Sequence, residues 1–263
     1  MEVLYKKDSY DTSDNPPRRF LDWILFKCRW SFYLRYFKLI LRINKAIKKE
    51  KYRDTEWCES SEFVLKLAER CGANCHFRGI DNVKNAAAPI VYIANHMSVL
   101  ETHILPVLIE PYMDVTFVVK QSLMDHTFFG PVMRSRRPIT VSRKNAREDL
   151  KAVLEQGTEL LKSGRSIIIF PQSSRSADFS PQHFNTLGVK LASRAGVKVV
   201  PIALKTDFWA NGHKVKDFGP IKPERDVYIT FGAPMEITGN GRKQHEIIID
   251  FIQKNLDEWG KTK

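Results

Sequence analysis

A histidine and a carboxylate stand five residues apart in Asn95-His96-Met97-Ser98-Val99-Leu100-Glu101, directly after the apolar run Ile90–Ala94. The run reads as a buried strand. A histidine at a strand end suits proton transfer, because imidazole titrates near neutrality. A carboxylate beside it would fix its tautomer and stabilise its charged form. Five residues of continuous helix turn through ~140°, so the two side chains would not share a face. They can meet only if His96 lies in a loop and the helix begins after it. Glu101 has a second reading. Ser98 with Glu three residues later is a capping-box pattern, in which Glu101 does no more than cap a helix. His103 falls on another side of that helix.

A second polar stretch follows the apolar run Ile167–Phe170: Pro171-Gln172-Ser173-Ser174-Arg175-Ser176. It makes a loop rich in hydrogen-bond donors, and a guanidinium can grip a phosphate through two parallel bonds. A third stretch, Phe129-Gly130-Pro131 and then Ile139–Ser142, again ends in an arginine, Arg143. The fourth, Val199-Val200-Pro201-Ile202-Ala203, is an apolar strand containing a proline, which favours an edge or otherwise special position in a sheet.

These stretches need a scaffold. Strand-like runs lie at 74–78, 90–94, 115–119, 139–142, 166–170, 197–204 and 227–231. Helical patterns lie at 58–71, ending at Gly72, and at 99–108, 146–162, 185–194 and 244–259. Strands alternating with helices predict an α/β fold, a central and mostly parallel sheet flanked by helices. In such sheets, sites gather at the carboxyl ends of strands. Asn95-His96, Arg143 and Pro171–Ser174 all follow strands.

The N-terminal part is of another kind. Residues 1–17 are polar and end in two prolines, which predicts a flexible tail. Residues 18–72 form a helical segment and 73–263 the α/β domain. Residues 16–53 carry twelve basic residues against Asp22 and Glu50, a net +10 out of +12 for the whole chain. Aromatic and aliphatic residues are interleaved with these charges, and no uncharged stretch approaches the ~20 residues of a spanning helix. The composition predicts an amphipathic helix lying on an anionic membrane surface, hence a peripheral or monotopic protein of the cytoplasmic face. The plainer alternative is a helix packed on its own domain with solvated lysines and arginines. The near-neutral remainder argues against a nucleic-acid partner. Cys28, Cys58, Cys71 and Cys75 read as reduced thiols, without a recognisable secretory signal. The spacing of Cys71, Cys75 and His76 matches no paired-ligand zinc pattern, and no metal site is expected.

Taken together, the four stretches resemble the glycerolipid acyltransferase family that includes the 1-acylglycerol-3-phosphate acyltransferases. The family's Asn-His-x4-Asp is met at Asn95 and His96, with Glu101 in place of the aspartate. Its Phe-Gly and following arginine are met at Phe129, Gly130 and Arg143. Its Phe-Pro-Glu-Gly-Thr-Arg-Ser is met at Phe170, Pro171, Arg175 and Ser176, with Gln172-Ser173-Ser174 replacing Glu-Gly-Thr. Its Val-Pro-Ile strand is met at Val200, Pro201 and Ile202, and Phe184 and Gly188 fit the segment after the third motif. The resemblance covers about residues 75–235.

It implies transfer of a fatty acyl group from acyl-CoA or acyl carrier protein to a lysophospholipid hydroxyl, without metal or bound cofactor. It implies His96 as general base and Glu101 as its orienting partner. Arg143 and Arg175 would hold the acceptor phosphate, with Asn95, Phe170, Pro171, Gln172, Ser173 and Ser174 completing the substrate site. The substitutions at 101 and 172–174 leave one alternative, a catalytically silent member that binds lipid or a partner.

Overall fold

The computed structural model describes residues 7–12, 29–172 and 174–261. Among them, one sheet is built from β1 (Tyr10–Asp11), β2 (Cys75–Arg78), β3 (Ile90–Ala94), β4 (Val115–Lys120), β5 (Ile139–Val141), β6 (Ser166–Ile169), β7 (Lys198–Lys205) and β8 (Val227–Phe231). Its order is β1-β2-β8-β7-β3-β6-β4-β5. Pairing is parallel throughout except at β1–β2 and β7–β8. The helices are α1 (Arg29–Lys48), α2 (Asp54–Arg70), α3 (Asp81–Lys84), α4 (Leu100–Ile109), α5 (Gln121–Met124), α6 (Gly130–Ser135), α7 (Ala146–Lys162), α8 (Leu187–Ala195) and α9 (Arg242–Lys261).

Central strand β3 shows why the sheet is sandwiched. All five of its residues are buried, the mark of a parallel strand covered on both faces. Ile90, Tyr92 and Ala94 point into a core shared with α1, α2 and α4. Val91 and Ile93 point into a second core with α7, α8 and α9. Gly188 sets how closely α8 lies on β3, since a Cβ there would come within 2.6 Å of Ile93 Cδ1.

Pro201 is not at a sheet edge. It lies in β7, between β3 and β8, opposite Ile93. The missing N–H falls where β8 has ended. Val199 pairs with Met235 across an isolated bridge, and the Gly232 N–H reaches back to the Pro201 carbonyl at 2.8 Å. The position is special because the neighbouring chain bulges away there, so no ladder bond is lost.

Residues 10–12 also depart from the expected loose tail. Tyr10 stacks on Phe77 at 5.3 Å, its hydroxyl bonds Glu69, and Thr12 Oγ1 accepts from the Cys75 N–H at 2.9 Å. One ring and two hydroxyls are enough to add an edge strand. Residues 1–6 and 13–17 of the tail lie outside the described residues, as do 18–28 of the basic segment.

Described helix α1 packs on the domain through Phe32, Tyr33, Tyr36, Leu39, Ile40 and Ile43, all buried. Phe32 meets the Trp209 ring edge-on at 4.8 Å, and the Tyr33 hydroxyl donates to the Gly219 carbonyl at 2.6 Å. The opposite side exposes Trp30, Leu34 and Leu41. No described helix is long and apolar enough to cross a membrane. Cys58, Cys71 and Cys75 are buried free thiols, and the His76 ring pairs with Asp11 at 2.7 Å.

Candidate active site

His96 lies in the loop between β3 and α4, and α4 begins at Leu100. The chain therefore turns back on itself, and Glu101, in the first turn, faces the histidine. His96 Nδ1 and Glu101 Oε1 are 2.9 Å apart. The same carboxylate accepts the Met97 N–H at 2.7 Å and the Ser98 N–H at 3.0 Å. Thr206 donates its hydroxyl to Oε2, and Ser98 Oγ accepts the Leu100 N–H at 3.0 Å. Fixing the loop that leads into the helix and orienting the histidine are thus the work of one side chain. A charge at a helix start is also favoured by the helix dipole.

Glu101 is fully buried, and burial alone would raise its pKa. The His96 hydrogen bond and charge, with Thr206 and the Ser98 amide, outweigh that and hold it below its ordinary value. An ionised Glu101 only accepts, so Nδ1 carries the proton of the His96 ring and Nε2 carries the lone pair. The ring lies flat against Phe170, with centroids 4.2 Å apart and planes 16° off parallel. The His96 N–H donates to Gln172 Oε1 at 2.6 Å, and the His96 carbonyl accepts the Ser176 N–H at 2.9 Å.

His96, Phe170, Gln172, Ser174, Arg143 and Arg175 line one cavity of about 760 Å³. One arm is apolar, with Leu39, Ile40 and Ile43 of α1, Trp57 of α2 and Val132 of α6. Another is cationic, with Arg143, Arg175 and Lys190. Arg143 has a positive φ of 58°, an uncommon conformation for a residue with a Cβ. Asp149 in the first turn of α7 holds it there, accepting the Ser142 and Arg143 N–H groups at 2.7 Å each. Partial burial and the neighbouring Arg175 charge pull the Arg143 pKa below its ordinary value, against Asp149.

Other expected site residues are placed differently. Asn95 is buried outside the cavity. Its amide donates to the Leu204 carbonyl and accepts the Leu204 N–H, each at 2.8 Å. It clamps the end of β3 to β7 and lies away from the cavity lining. Pro171 is buried, and its carbonyl accepts from Asn185. Ser173 lies outside the described residues.

Sequence reading missed Thr206, Asp149 and Asp217, which bonds Arg175 at 2.5 Å. His103, expected on another side of the helix, lines the same cavity, where its Nε2 meets the Tyr36 hydroxyl at 2.9 Å and its Nδ1 meets the Val99 carbonyl at 3.0 Å. Burial lowers the His103 pKa. Thr206 had a signal, since it directly follows β7, at the same kind of strand end as His96.

The chain is thus a three-layer α/β scaffold with a His–Glu pair at the end of β3 and two arginines lining the same cavity. The comparisons name the class. An acyltransferase family model matches residues 74–205, just over half of the chain, so the protein belongs to that acyltransferase family. It is 29% identical over 186 residues to a 1-acyl-sn-glycerol-3-phosphate acyltransferase of Pseudomonas aeruginosa, covering 70% of this chain and 67% of that one. It is 33% identical over 183 residues to one of Chlamydomonas reinhardtii, covering 66% of this chain and 52% of that one. The crystal structure of the 1-acyl-sn-glycerophosphate acyltransferase PlsC from Thermotoga maritima shares the fold. It superposes with a TM-score of 0.64 at 17% identity, over 89% of this chain and 99% of that one.

Proposed function

We propose that the protein transfers a fatty acyl group from an acyl thioester, acyl-CoA or acyl carrier protein, to the free hydroxyl of a 1-acylglycerol-3-phosphate-type lysophospholipid at a membrane surface. The observation that carries this reading is the His96–Glu101 pair opening onto a cavity that is cationic on one side and apolar on another. The acceptor is an amphiphile with an anionic head, and its relatives from Pseudomonas and Chlamydomonas are named for that acceptor.

Arg143 and Arg175 take the phosphate, which brings the glycerol hydroxyl to His96. His96 Nε2 removes the hydroxyl proton as the oxygen attacks the thioester carbonyl. The carbon–sulfur bond then breaks, and the imidazolium returns its proton to the leaving thiolate. Glu101 keeps Nδ1 protonated and balances the transient charge, and Phe170 holds the ring plane. General base catalysis of this kind contributes ~10²–10⁴-fold. The apolar arm accommodates hydrocarbon. No resident metal or cofactor enters this sequence of steps.

The exposed side of α1 supplies the membrane contact. Trp30, Leu34 and Leu41 are 60%, 54% and 59% exposed. With the exposed Lys38 and Lys45 they fall within an arc of ~80° at 100° per residue. A stripe of apolar and basic residues fits the interface of an anionic bilayer, with ammonium groups reaching the headgroups.

The test is acyl transfer by the purified chain from labelled acyl-CoA or acyl carrier protein to a panel of lysolipids. Turnover of 1-acylglycerol-3-phosphate that disappears in His96→Ala is expected. No acylation with either donor, or full activity in His96→Ala, rejects the reading in favour of a silent lipid-binding member.

A further inference from the structure

Arg175, assigned above to the acceptor phosphate, is paired with a carboxylate of this chain. Its Nη2 lies 2.5 Å from Asp217 Oδ1, with the two side chains 16% and 35% exposed. Both residues line the cavity beside Arg143, Lys190 and Lys216. Asp217 reaches Arg175 from the excursion between β7 and β8, far from it in sequence.

The base of that excursion is fixed. Trp209 and Ile221 form an antiparallel bridge. The Ala210 N–H bonds the Pro220 carbonyl at 3.0 Å, and the Lys222 N–H bonds the Phe208 carbonyl at 2.7 Å. Gly219 passes so close to the Ala210 carbonyl that a Cβ would overlap it. Phe218, next to Asp217, packs on Phe37 at 5.5 Å and on Tyr33 at 5.9 Å. The backbone at 217 is therefore presented by a rigid support, while the carboxylate at its tip is partly open to water.

We propose that Asp217 is the internal counter-anion of the acceptor site. It holds Arg175 in its binding geometry while the site is empty, and the acceptor's phosphate displaces it by a rotation of the Asp217 side chain alone. This inference rests on the assignment of Arg143 and Arg175 to a phosphate. Two features support it. Asp217 sets a carboxylate against Arg175, whose charge bears on Arg143, and so offsets part of the repulsion between the two guanidiniums. A carboxylate and a phosphate oxygen compete for the same guanidinium edge. Asp217 is a positioning residue that acts through Arg175, and it makes the site selective. Only a ligand that binds guanidinium better than a carboxylate does can enter, which favours phosphate over carboxylate or neutral headgroups.

The sign of the effect separates this from a merely structural role. Binding in the native enzyme must break the Arg175–Asp217 pair, and in Asp217→Asn it need not. Calorimetric titration of the full chain with inorganic phosphate is expected to give roughly fivefold tighter binding to Asp217→Asn than to the parent, the scale of a partly screened ion pair. The acceptor KM should fall by a similar factor. Weaker or unchanged phosphate binding overturns the proposal. In an Arg175→Ala background the gain should nearly vanish, and a gain of full size there also overturns it, since Asp217 would then act only through its field. Should Asp217→Asn not fold, a structure of the parent soaked in phosphate decides. A phosphate on Arg175 with Asp217 turned away is expected, and Asp217 still on Arg175 at saturating phosphate refutes. Phosphate binding needs no turnover, so loss of the acyltransfer reading and loss of this one are separately visible.

Discussion

Glu101 Oε1 accepts both the His96 Nδ1 proton and the Met97 amide, at 2.9 and 2.7 Å. The histidine's partner is thereby locked to the backbone of the loop that carries the histidine, so ring and carboxylate cannot drift apart. Glu101→Gln keeps the size but places an amide where a carboxylate accepts several donors. It is expected to lower kcat by roughly 10²–10⁴-fold with little change in acceptor KM, read from initial rates. A loss confined to KM would contradict the orienting role. Thr206→Val removes one donor to the carboxylate and should cost about 1–3 kcal/mol in denaturant unfolding.

The same carboxylate makes stability depend on acid. Its pKa is held below the ordinary 4.5 in the folded protein, so the unfolded chain binds the proton more readily. Its contribution is therefore fully present above about pH 5 and is lost as pH falls through the folded pKa. Unfolding curves of parent and Glu101→Gln, taken from pH 7 down to pH 3, should converge as the pH falls. Curves that stay equally separated across this range would show that Glu101 is not ionised in the fold.

Glu110 works in the opposite direction. Burial lifts its pKa to about 7, with Asp114 and Asp54 adding to the effect and the Val115 N–H opposing it. A carboxyl whose folded pKa lies above the unfolded value costs stability as pH rises from about 4.5 to 7, where it must ionise in place. Glu110→Gln can still accept the Val115 N–H, a bond of 3.0 Å in the parent. It is expected to be more stable than the parent at pH 8, on the order of 1–3 kcal/mol, and similar to it at pH 4. Thermal melts at the two pH values check this.

Arg143 and Arg175 are expected to act on binding rather than on chemistry. Replacing either with alanine should raise the KM for a phosphate-bearing acceptor by roughly 10–100-fold, the worth of a charged hydrogen bond, with a smaller change in kcat. Arg175→Lys should recover part of this, since a point charge replaces a two-toothed donor. Equal KM values for parent and both alanine variants would remove the phosphate assignment.

The stripe on α1 is separable from the fold. Trp30, Leu34 and Leu41 are exposed while Phe32, Tyr36 and Leu39 are buried. Changing the three exposed residues to serine should leave the melting temperature within a few degrees, as surface substitutions do. Sedimentation with anionic vesicles should fall several-fold, because the apolar contact with the bilayer is lost. Unchanged sedimentation would move the membrane contact elsewhere.

The alternation of apolar runs and helical patterns gave the order of the elements, because each strand of a sheet covered on both faces must be continuously apolar. Strand β3 at Ile90–Ala94, strand β8 at Val227–Phe231 and helix α7 at Ala146–Lys162 fall where that pattern places them. His96, Arg143 and Arg175 were legible for a related reason: each follows a strand, and strand ends in such sheets converge. Their roles in catalysis remain the subject of the experiments above.

Glu101 was expected beside His96 from its spacing, but the other partners were not legible. Thr206 reaches Glu101, Asp217 reaches Arg175, and Phe170 covers the His96 ring, all across long separations in the chain. Asn95 carries a motif position, yet its amide is spent on Leu204. Spacing along the chain specifies local periodicity and the residues that a strand delivers to its end. It does not specify which side chain from another loop arrives within 3 Å, because that depends on how the whole sheet twists and how each excursion packs. The sequence by itself determined the kind of scaffold and the reactive groups on it. Only the tertiary structure decided that one glutamate both ties down the loop and holds the histidine, and that an aspartate pairs with the arginine.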